Sequence, residues 1–405
     1  MTEPSDWRSL LSASERYDNI QRLTQTAAAA GLSQTAFAIE NEAYKSATTR
    51  EEYDDACRLS SDVAITSAPA SQSQGAHGST DDEDSNNGMS IGQYQNCHYV
   101  ASGVTAEVYR SKDRALKVIV ETRDIEPHSP AREAKILGLL KGPCISLLET
   151  FRDQEQRFVL VFPYMPLTLA NLLEQGPLPK ARIRLVFNDL FKALHNIHSQ
   201  GIIHRDIKPS AILLASLNGP AYLSDFGTAW HPTLSAASEP ADAKILDIGT
   251  GPYRAPEALF GNKSYGPPVD MWGAGVMLAE CCSRPPKPLF ESRAVHEDGN
   301  QLGLILSIFK TIGSPTRETW PEAASFKTPP FDMYRAFDHR PWDVVLPDVT
   351  PDWRELIAAL VRYDSGRATA EQVSYTIGSK FADVFSNINP LSRPWDIVLC
   401  KIHKP

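Results

Sequence analysis

The chain has 405 residues, 42% hydrophobic and 22% charged, with a formal net charge of -9. That is enough length and apolar content for one large domain with additions. The acidic balance argues against direct nucleic-acid binding, which calls for basic patches, and no apolar run is long enough to span a membrane.

The six cysteines, Cys57, Cys97, Cys144, Cys281, Cys282 and Cys400, form no CxxC pair and no zinc spacing. Reduced, structural thiols are expected. The N-terminus is polar and carries no signal-peptide apolar region. The expected setting is intracellular and reducing, the nucleus, the cytoplasm or both.

Residues 1–60 are helical in pattern. Ser12 to Glu15 is a capping box, in which a side-chain oxygen takes an orphan amide and Glu15 reaches back. Ile20 and Leu23 follow at helical spacing. Ala36, Phe37, Glu40, Ala43, Tyr44 and Ala47 fall on one stripe of a second helix. Thr49 to Glu52 is another capping box, opening a short helix through Tyr53 and Cys57. Residues 61–92 are rich in Ser, Gly, Asp and Asn without apolar period, so they read as a disordered linker. The acidic run Asp81 to Asp84 is read as solvated linker rather than a metal site. Residues 93–386 alternate strand-like and helix-like segments, and "VDMWGAGVMLAECC" (269–282) reads as a buried core helix. Residues 387–405, with Trp395 and Ile397, form a tail expected to pack on the domain.

Within residues 93–386 a series of motifs arrives in a fixed order: "YVASGVTAEVYR" (99–110), "RALKV" (114–118), "AREAKILGLL" (131–140), "VFPYMPLT" (161–168), "HRDIKPS" (204–210), "SDFG" (224–227) and "GTGPYRAPEALFG" (249–261). Together they resemble the eukaryotic protein kinase family. The resemblance implies an α+β, bilobal fold with a small, mainly β N-lobe and a larger, mainly α C-lobe. It also implies ATP and Mg2+ as cofactors, and transfer of the γ-phosphate to a protein hydroxyl.

By the same resemblance, Asp206 would orient the substrate hydroxyl and accept its proton, and Lys208 would sit near the transferred phosphate. Lys208 is the serine/threonine-kinase residue at that place. Asp225 would hold the magnesium, Lys117 would grip the ATP phosphates, and Glu133 would pair with Lys117. The nucleotide site would comprise Ala101, Gly103, Val108, Ala115, Lys117 and Leu213. Phe162 would be the gatekeeper, with adenine bonding the backbone near Tyr164 and Met165. Leu137, Leu148, His204 and Phe226 would stack as an apolar spine, which makes His204 a core histidine rather than a base. Glu257 would form a buried ion pair with Arg367, and Asp270 would tie the catalytic loop from below.

Arg254 and the segment from Asn300 to Pro321, with Gln301, Leu302, Gly313, Ser314, Pro315, Trp320 and Pro321, resemble the cyclin-dependent kinase branch. Two departures follow. The cyclin-gripping helix is replaced by "PHSPARE" (127–133), whose Pro130 would delay or kink the helix start. The family's activating threonine lies twelve residues before the APE glutamate, and here that position is Ile245. Arg205 would normally bind the missing phosphate. Asp242 or Asp247 is expected to serve as a built-in anion, while Thr233, Ser235 and Ser238 offer other phosphorylation sites. A chain lacking both devices resembles the single-subunit CDK-activating kinases of yeasts and moulds. That implies a protein substrate, the activation-segment threonine of a cyclin-dependent kinase.

The phosphate loop keeps only its middle glycine, Gly103, against Ala101 and Ala106 at the other positions. Five residues after Asp206, the family's second-metal asparagine is Ala211, and Ser210 is the closest oxygen in sequence. One lost ligand costs roughly 3–4 kcal/mol by analogy with an oxyanion donor. Two functional readings therefore stand: a working, cyclin-independent kinase, and a catalytically dead scaffold. Residues 6–57 resemble the KIX domain of a Mediator tail subunit, through Trp7-Arg8, Asn19-Ile20, Glu42-Ala43-Tyr44 and Glu52-Tyr53. That resemblance implies a three-helix bundle that takes an amphipathic helix of an activator or transcription factor. The alternative is a helical extension that packs on the kinase. The whole is expected to be a monomer.

Overall fold

A computed structural model of the chain describes residues 19, 23, 43–44, 47–57, 88–103, 105–120, 126–292, 299–331 and 335–380. It divides into two compact units, Met1–Asn87 and Gly88–Pro405.

In the first unit, helix α1 (Arg50–Ala56) starts at Thr49, whose side chain accepts the Glu52 amide at 3.2 Å. The expected box closes one residue further back: the Glu52 carboxylate takes the amide and hydroxyl of Thr48, at 2.7 and 2.6 Å. Leu23, Ala43, Ala47, Tyr53 and Cys57 are buried together, with Tyr44 edge-on to Tyr53. The Ser12 box, Ala36, Phe37 and Glu40, residues 61–87 and the tail lie outside the described residues.

The second unit begins with strand β1 (Met89–Ile91), upstream of residue 93. It pairs with β2 (Tyr94–Ser102), and Ile91 is fully buried. With Ile91 its one buried residue, so short a strand leaves no period for the sequence to display. Strands β3 (Ala106–Ser111), β4 (Arg114–Ile119), β5 (Glu149–Arg152) and β6 (Phe158–Pro163) complete an antiparallel sheet in the order β1-β2-β3-β4-β6-β5. Helix α2 (Pro130–Leu139) lies between β4 and β5 in the chain. Pro130 stands at its first turn after the N-cap Ser129, where a missing N–H costs nothing, so it starts the helix rather than kinking it.

Side chains alternate across this sheet. Leu116, Val118, Val159 and Val161 face a small core with Ile91 and Cys97. Leu160 and Phe162 face the main core. The β4↔β6 register sets Ala115 against Phe162 and Lys117 against Leu160, so those two residues share that inner face. The expected spine differs at one residue. Leu148 is 45% exposed, whereas Leu147 is packed on the main core with Leu137 and Phe226. Both residues precede β5, in backbone whose facing the strand ladder does not set.

The larger, helical part follows. Strand β7 (Leu167–Thr168) joins β8 (Ile212–Leu214) and β9 (Ala221–Leu223) in a small sheet. Helix α3 (Leu169–Glu174) opens with a capping box of Thr168 and Asn171. Helix α4 (Lys180–His198) buries Ile183, Phe187, Leu190, Phe191, Leu194 and Ile197, one face of a 3.6-residue period. Helix α5 (Pro256–Leu259) precedes α6 (Pro268–Cys282), which is buried all round from Val269 to Cys282. A Cβ on Gly273 would lie 3.0 Å from the carbonyl oxygen of Ile207, so glycine lets the catalytic loop rest on α6. Then come α7 (Gly299–Ile312), α8 (Trp342–Val345), α9 (Pro351–Leu360) and α10 (Ala370–Lys380). After α7, Trp320 is fully enclosed between the rings of Phe260, Phe326 and Tyr363. No helix among the described residues is long and apolar enough to cross a membrane.

Candidate active site

Two clusters of charge meet in the cleft between the sheet and the helices. The first joins β4, α2 and the turn after β9. Lys117 Nζ donates to Glu133 at 2.8 and 3.0 Å and to Asp225 Oδ1 at 3.1 Å. Burial opposes the Lys117 cation, but the Glu133 and Asp225 carboxylates outweigh it and hold its pKa above the ordinary range. The Lys117 ammonium in turn holds Asp225 well below the usual carboxylate range, against the effect of burial. Both groups are therefore charged at neutral pH. Asp225 sits at φ 61 and ψ 62, a left-handed conformation imposed by its surroundings. Its side chain remains 49% exposed to the cleft.

The second cluster is the catalytic loop. Lys208 Nζ reaches Asp206 Oδ2 at 2.5 Å, and Thr250 Oγ1 donates to Asp206 Oδ1 at 2.7 Å. Lys208 also donates to Thr250 Oγ1 at 3.1 Å. Thr250 was missed by the sequence reading, although it lies in the quoted "GTGPYRAPEALFG". His128 was also missed: its imidazole feels the Asp225, Asp206 and Asp247 carboxylates, yet burial lowers its pKa.

The loop is braced from below as the motif order implied. Asp270 accepts the backbone amides of His204 and Arg205 at 2.9 and 2.7 Å, and His198 Nε2 at 2.8 Å. His204 is fully buried, gives Nε2–H to Ser224 O at 2.8 Å, and stacks edge-on against Phe226 at 4.8 Å. It is a core residue. The Glu257–Arg367 pair forms at 2.5 and 2.9 Å and is buried.

The nucleotide-site residues fall as follows. Val108 pairs across the sheet with Lys117 and with Ala101, and Ala115 pairs with Phe162. Gly103 N donates to Ala106 O at 2.8 Å, closing the hairpin. Phe162, Met165 and Leu213 are partly buried against the main core. The Tyr164 amide already donates to Asp113 O at 2.9 Å, and the Tyr164 ring is covered by Arg110 at 4.3 Å. That amide is therefore not offered to adenine, and the Met165 side of the hinge is left for it. Ala211 is buried, with Ser224 Oγ bonded to its carbonyl, and Ser210, the closest oxygen in sequence, is exposed.

The built-in anion is neither of the expected aspartates. Asp247 is 87% exposed and pairs with Arg254, and Asp242 is exposed. Arg205 instead makes a two-pronged bond with Glu239, at 2.7 and 3.0 Å, with both side chains fully buried. Of the candidate phosphorylation sites, Thr233 and Ser238 are exposed, whereas Ser235 is fully buried.

A family model described as protein kinase domain matches residues 94–376. The chain is 36% identical over 255 residues to the serine/threonine-protein kinase csk1 of Schizosaccharomyces pombe, covering 60% of this chain and 78% of that one. It is 28% identical over 278 residues to the serine/threonine-protein kinase CAK1 of Saccharomyces cerevisiae, covering 56% and 76%. The solved structure of the CAK complex from Chaetomium thermophilum bound to ATP-gamma-S superimposes with a TM-score of 0.57 at 29% identity, over 69% of this chain and 88% of that one. These relatives do not favour the dead-scaffold reading. The chain belongs to the protein kinase family, as a serine/threonine kinase that uses ATP.

Proposed function

We propose that this kinase transfers the ATP γ-phosphate to the activation-segment threonine of a cyclin-dependent kinase and needs no cyclin itself. The substrate class rests on the likeness to csk1 and CAK1. The observation that carries cyclin independence is the Lys117–Glu133 contact at 2.8 Å, built entirely from this chain's own residues. Helix α2 is held in place by the Ser129 cap, by Ser129 N donating to Gly227 O at 3.4 Å, and by Arg132 bonded to Glu126 at 3.2 and 3.0 Å and to the Pro127 carbonyl.

In this reading Asp206 receives the substrate hydroxyl's proton, while Lys208 and Thr250 orient its carboxylate. Lys117 holds the nucleotide phosphates. Mg2+ fits the ionised, half-exposed Asp225 carboxylate, since oxygen donors suit it and it shares its remaining ligands with phosphates and water. Among the described residues no cluster of three or more His, Cys, Asp or Glu could hold a metal, which agrees with a site completed by the nucleotide. The metal would neutralise phosphate charge, and the chain's own residues position the reacting groups. Residues 1–60 would recruit an amphipathic helix of an activator or partner, and the monomeric kinase would work in the nucleus or cytoplasm. Deleting residues 1–60 should spare catalysis and weaken recruitment.

The test incubates purified chain, Mg2+ and ATP with a CDK–cyclin pair, beside Asp206→Asn and Asp225→Asn. Phosphorylation of the CDK threonine by wild type alone is expected. A wild type no better than either variant would refute the assignment.

A further inference from the structure

Three histidines at or near the core bond to the chain: His198 to Asp270, His204 to the Ser224 carbonyl, and His231 to the Thr233 and Leu234 amides. His128 differs. It is half-buried, yet no described residue hydrogen-bonds its imidazole. Its backbone is fixed on both sides. The Pro127 carbonyl before it accepts from Arg132. Ser129 after it caps α2 and gives its amide to Gly227 O at 3.4 Å. Gly227 itself lies against the phosphate-holding charges: a Cβ there would stand 3.4 Å from Lys117 Nζ and 3.6 Å from Asp225 Oδ1. Burial lowers the His128 pKa, and the charges that act on the ring are those of Asp225, Lys117, Asp206 and Asp247. They come from the turn after β9, from β4, from the catalytic loop and from the stretch before α5. These elements converge in the cleft, where phosphate and acceptor hydroxyl must meet.

The phosphate site is short of donors. Backbone N–H groups of a glycine-rich loop ordinarily cover the phosphates. Here only Gly103 remains of those glycines, and its amide is spent on Ala106 O at 2.8 Å. Lys117 divides its ammonium between Glu133 and Asp225. An imidazole carries at least one N–H in either protonation state. His128 therefore brings an unspent donor to a place that lacks them.

We propose that the His128 imidazole donates a hydrogen bond to the terminal phosphate of ATP, a contact supplied from the entry of α2 that makes up for the depleted glycine loop. The inference rests on the kinase assignment and adds a nucleotide contact to it. It concerns the terminal phosphate, because Asp206, the group that receives the acceptor's proton, acts on the same ring.

The test measures binding to the full chain by calorimetry, with Mg2+ and either ADP or a non-hydrolysable imido analogue of ATP. Loss of a hydrogen bond to a charged partner weakens binding by about tenfold or more, and water at a half-exposed ring recovers part of it. His128→Ala should therefore raise the Kd of the analogue about five- to tenfold and leave that of ADP within about twofold. His128→Gln, which keeps an N–H donor, should lie between alanine and wild type. A Kd that rises equally for both nucleotides, or for neither, would overturn the proposal. A wild type that binds neither nucleotide would instead count against the kinase assignment. Should the alanine variant not fold, wild type answers the same question: the ring 15N signal of His128 should move with the analogue and not with ADP. A signal that stays still with the analogue, or moves alike with both, would overturn the contact.

Discussion

Replacing Thr250 by valine keeps the shape of the side chain and removes one hydroxyl from Asp206. In the wild type that hydroxyl donates to Asp206 Oδ1 at 2.7 Å and accepts from Lys208 Nζ at 3.1 Å. A hydrogen bond to a charged partner contributes about 1.5–3 kcal/mol. If all of that is felt while Asp206 orients the acceptor hydroxyl, kcat falls roughly 10- to 150-fold at about 1.4 kcal/mol per decade. Thr250 is exposed, so water replaces part of the bond and the lower half of that range is expected. The KM for ATP should stay within twofold, because the phosphate-binding Lys117 bonds Glu133 and Asp225 rather than Thr250. Thr250→Ser, which keeps the hydroxyl, should return most of the rate. The assay is steady-state phosphorylation with Asp206→Asn as the floor. A valine variant within twofold of wild type, or a loss confined to the KM for ATP, would refute the role given to this hydroxyl.

Glu257→Gln leaves Arg367 charged in a buried site, where it also bonds the carbonyls of Arg362, Pro268 and Tyr363. About 3–5 kcal/mol of stability should be lost, or roughly 6–10 °C in Tm at about 2 °C per kcal/mol for a domain this large; calorimetry showing under about 1 °C would contradict it. Ala211→Asn offers an oxygen where a second cation would bind, so the Mg2+ concentration giving half-maximal rate should fall several-fold, and an unchanged Mg2+ titration would show that the site makes no use of that ligand. His231 Nδ1 accepts the amides of Thr233 and Leu234 at 3.0 and 3.2 Å, and burial lowers its pKa from 6.5. Because the folded chain resists a proton that the unfolded chain takes up, its contribution is full above the ordinary value and is lost as pH falls below about 6.5. His231→Asn, which keeps an acceptor and cannot titrate, should flatten the dependence of Tm on pH between about 7 and about 5.5, and a slope equal to wild type would exclude His231 as its source.

Much of this protein was legible as a string. Lys117, Glu133, Asp206, Lys208 and Asp225 were singled out by residue type, order and spacing, and the structure brings them into one cleft with direct contacts within each cluster. The burial of α6 and the Glu257–Arg367 pair were also expected, since each follows from composition or from motif letters at set positions. Helices in residues 1–60 were read from capping and stripe patterns, and among the described residues the helix Arg50–Ala56 and the buried cluster of Leu23, Ala43, Ala47, Tyr53 and Cys57 are seen.

Residue type and order along the chain settled which side chains were present for chemistry. Tertiary structure decided which partner each one met. The anion for Arg205 was expected among Asp242 and Asp247, yet the fold supplied Glu239, because a charge can lie fully buried only where hydrogen bonds satisfy it on every side. The spine took Leu147 rather than Leu148, because the two precede β5 in irregular backbone, where no period in the letters fixes which side chain turns inward. Thr250 became a partner of Asp206 across 44 residues. No local pattern encodes such a contact, which exists only once the catalytic loop and the segment after Asp225 have packed against α6.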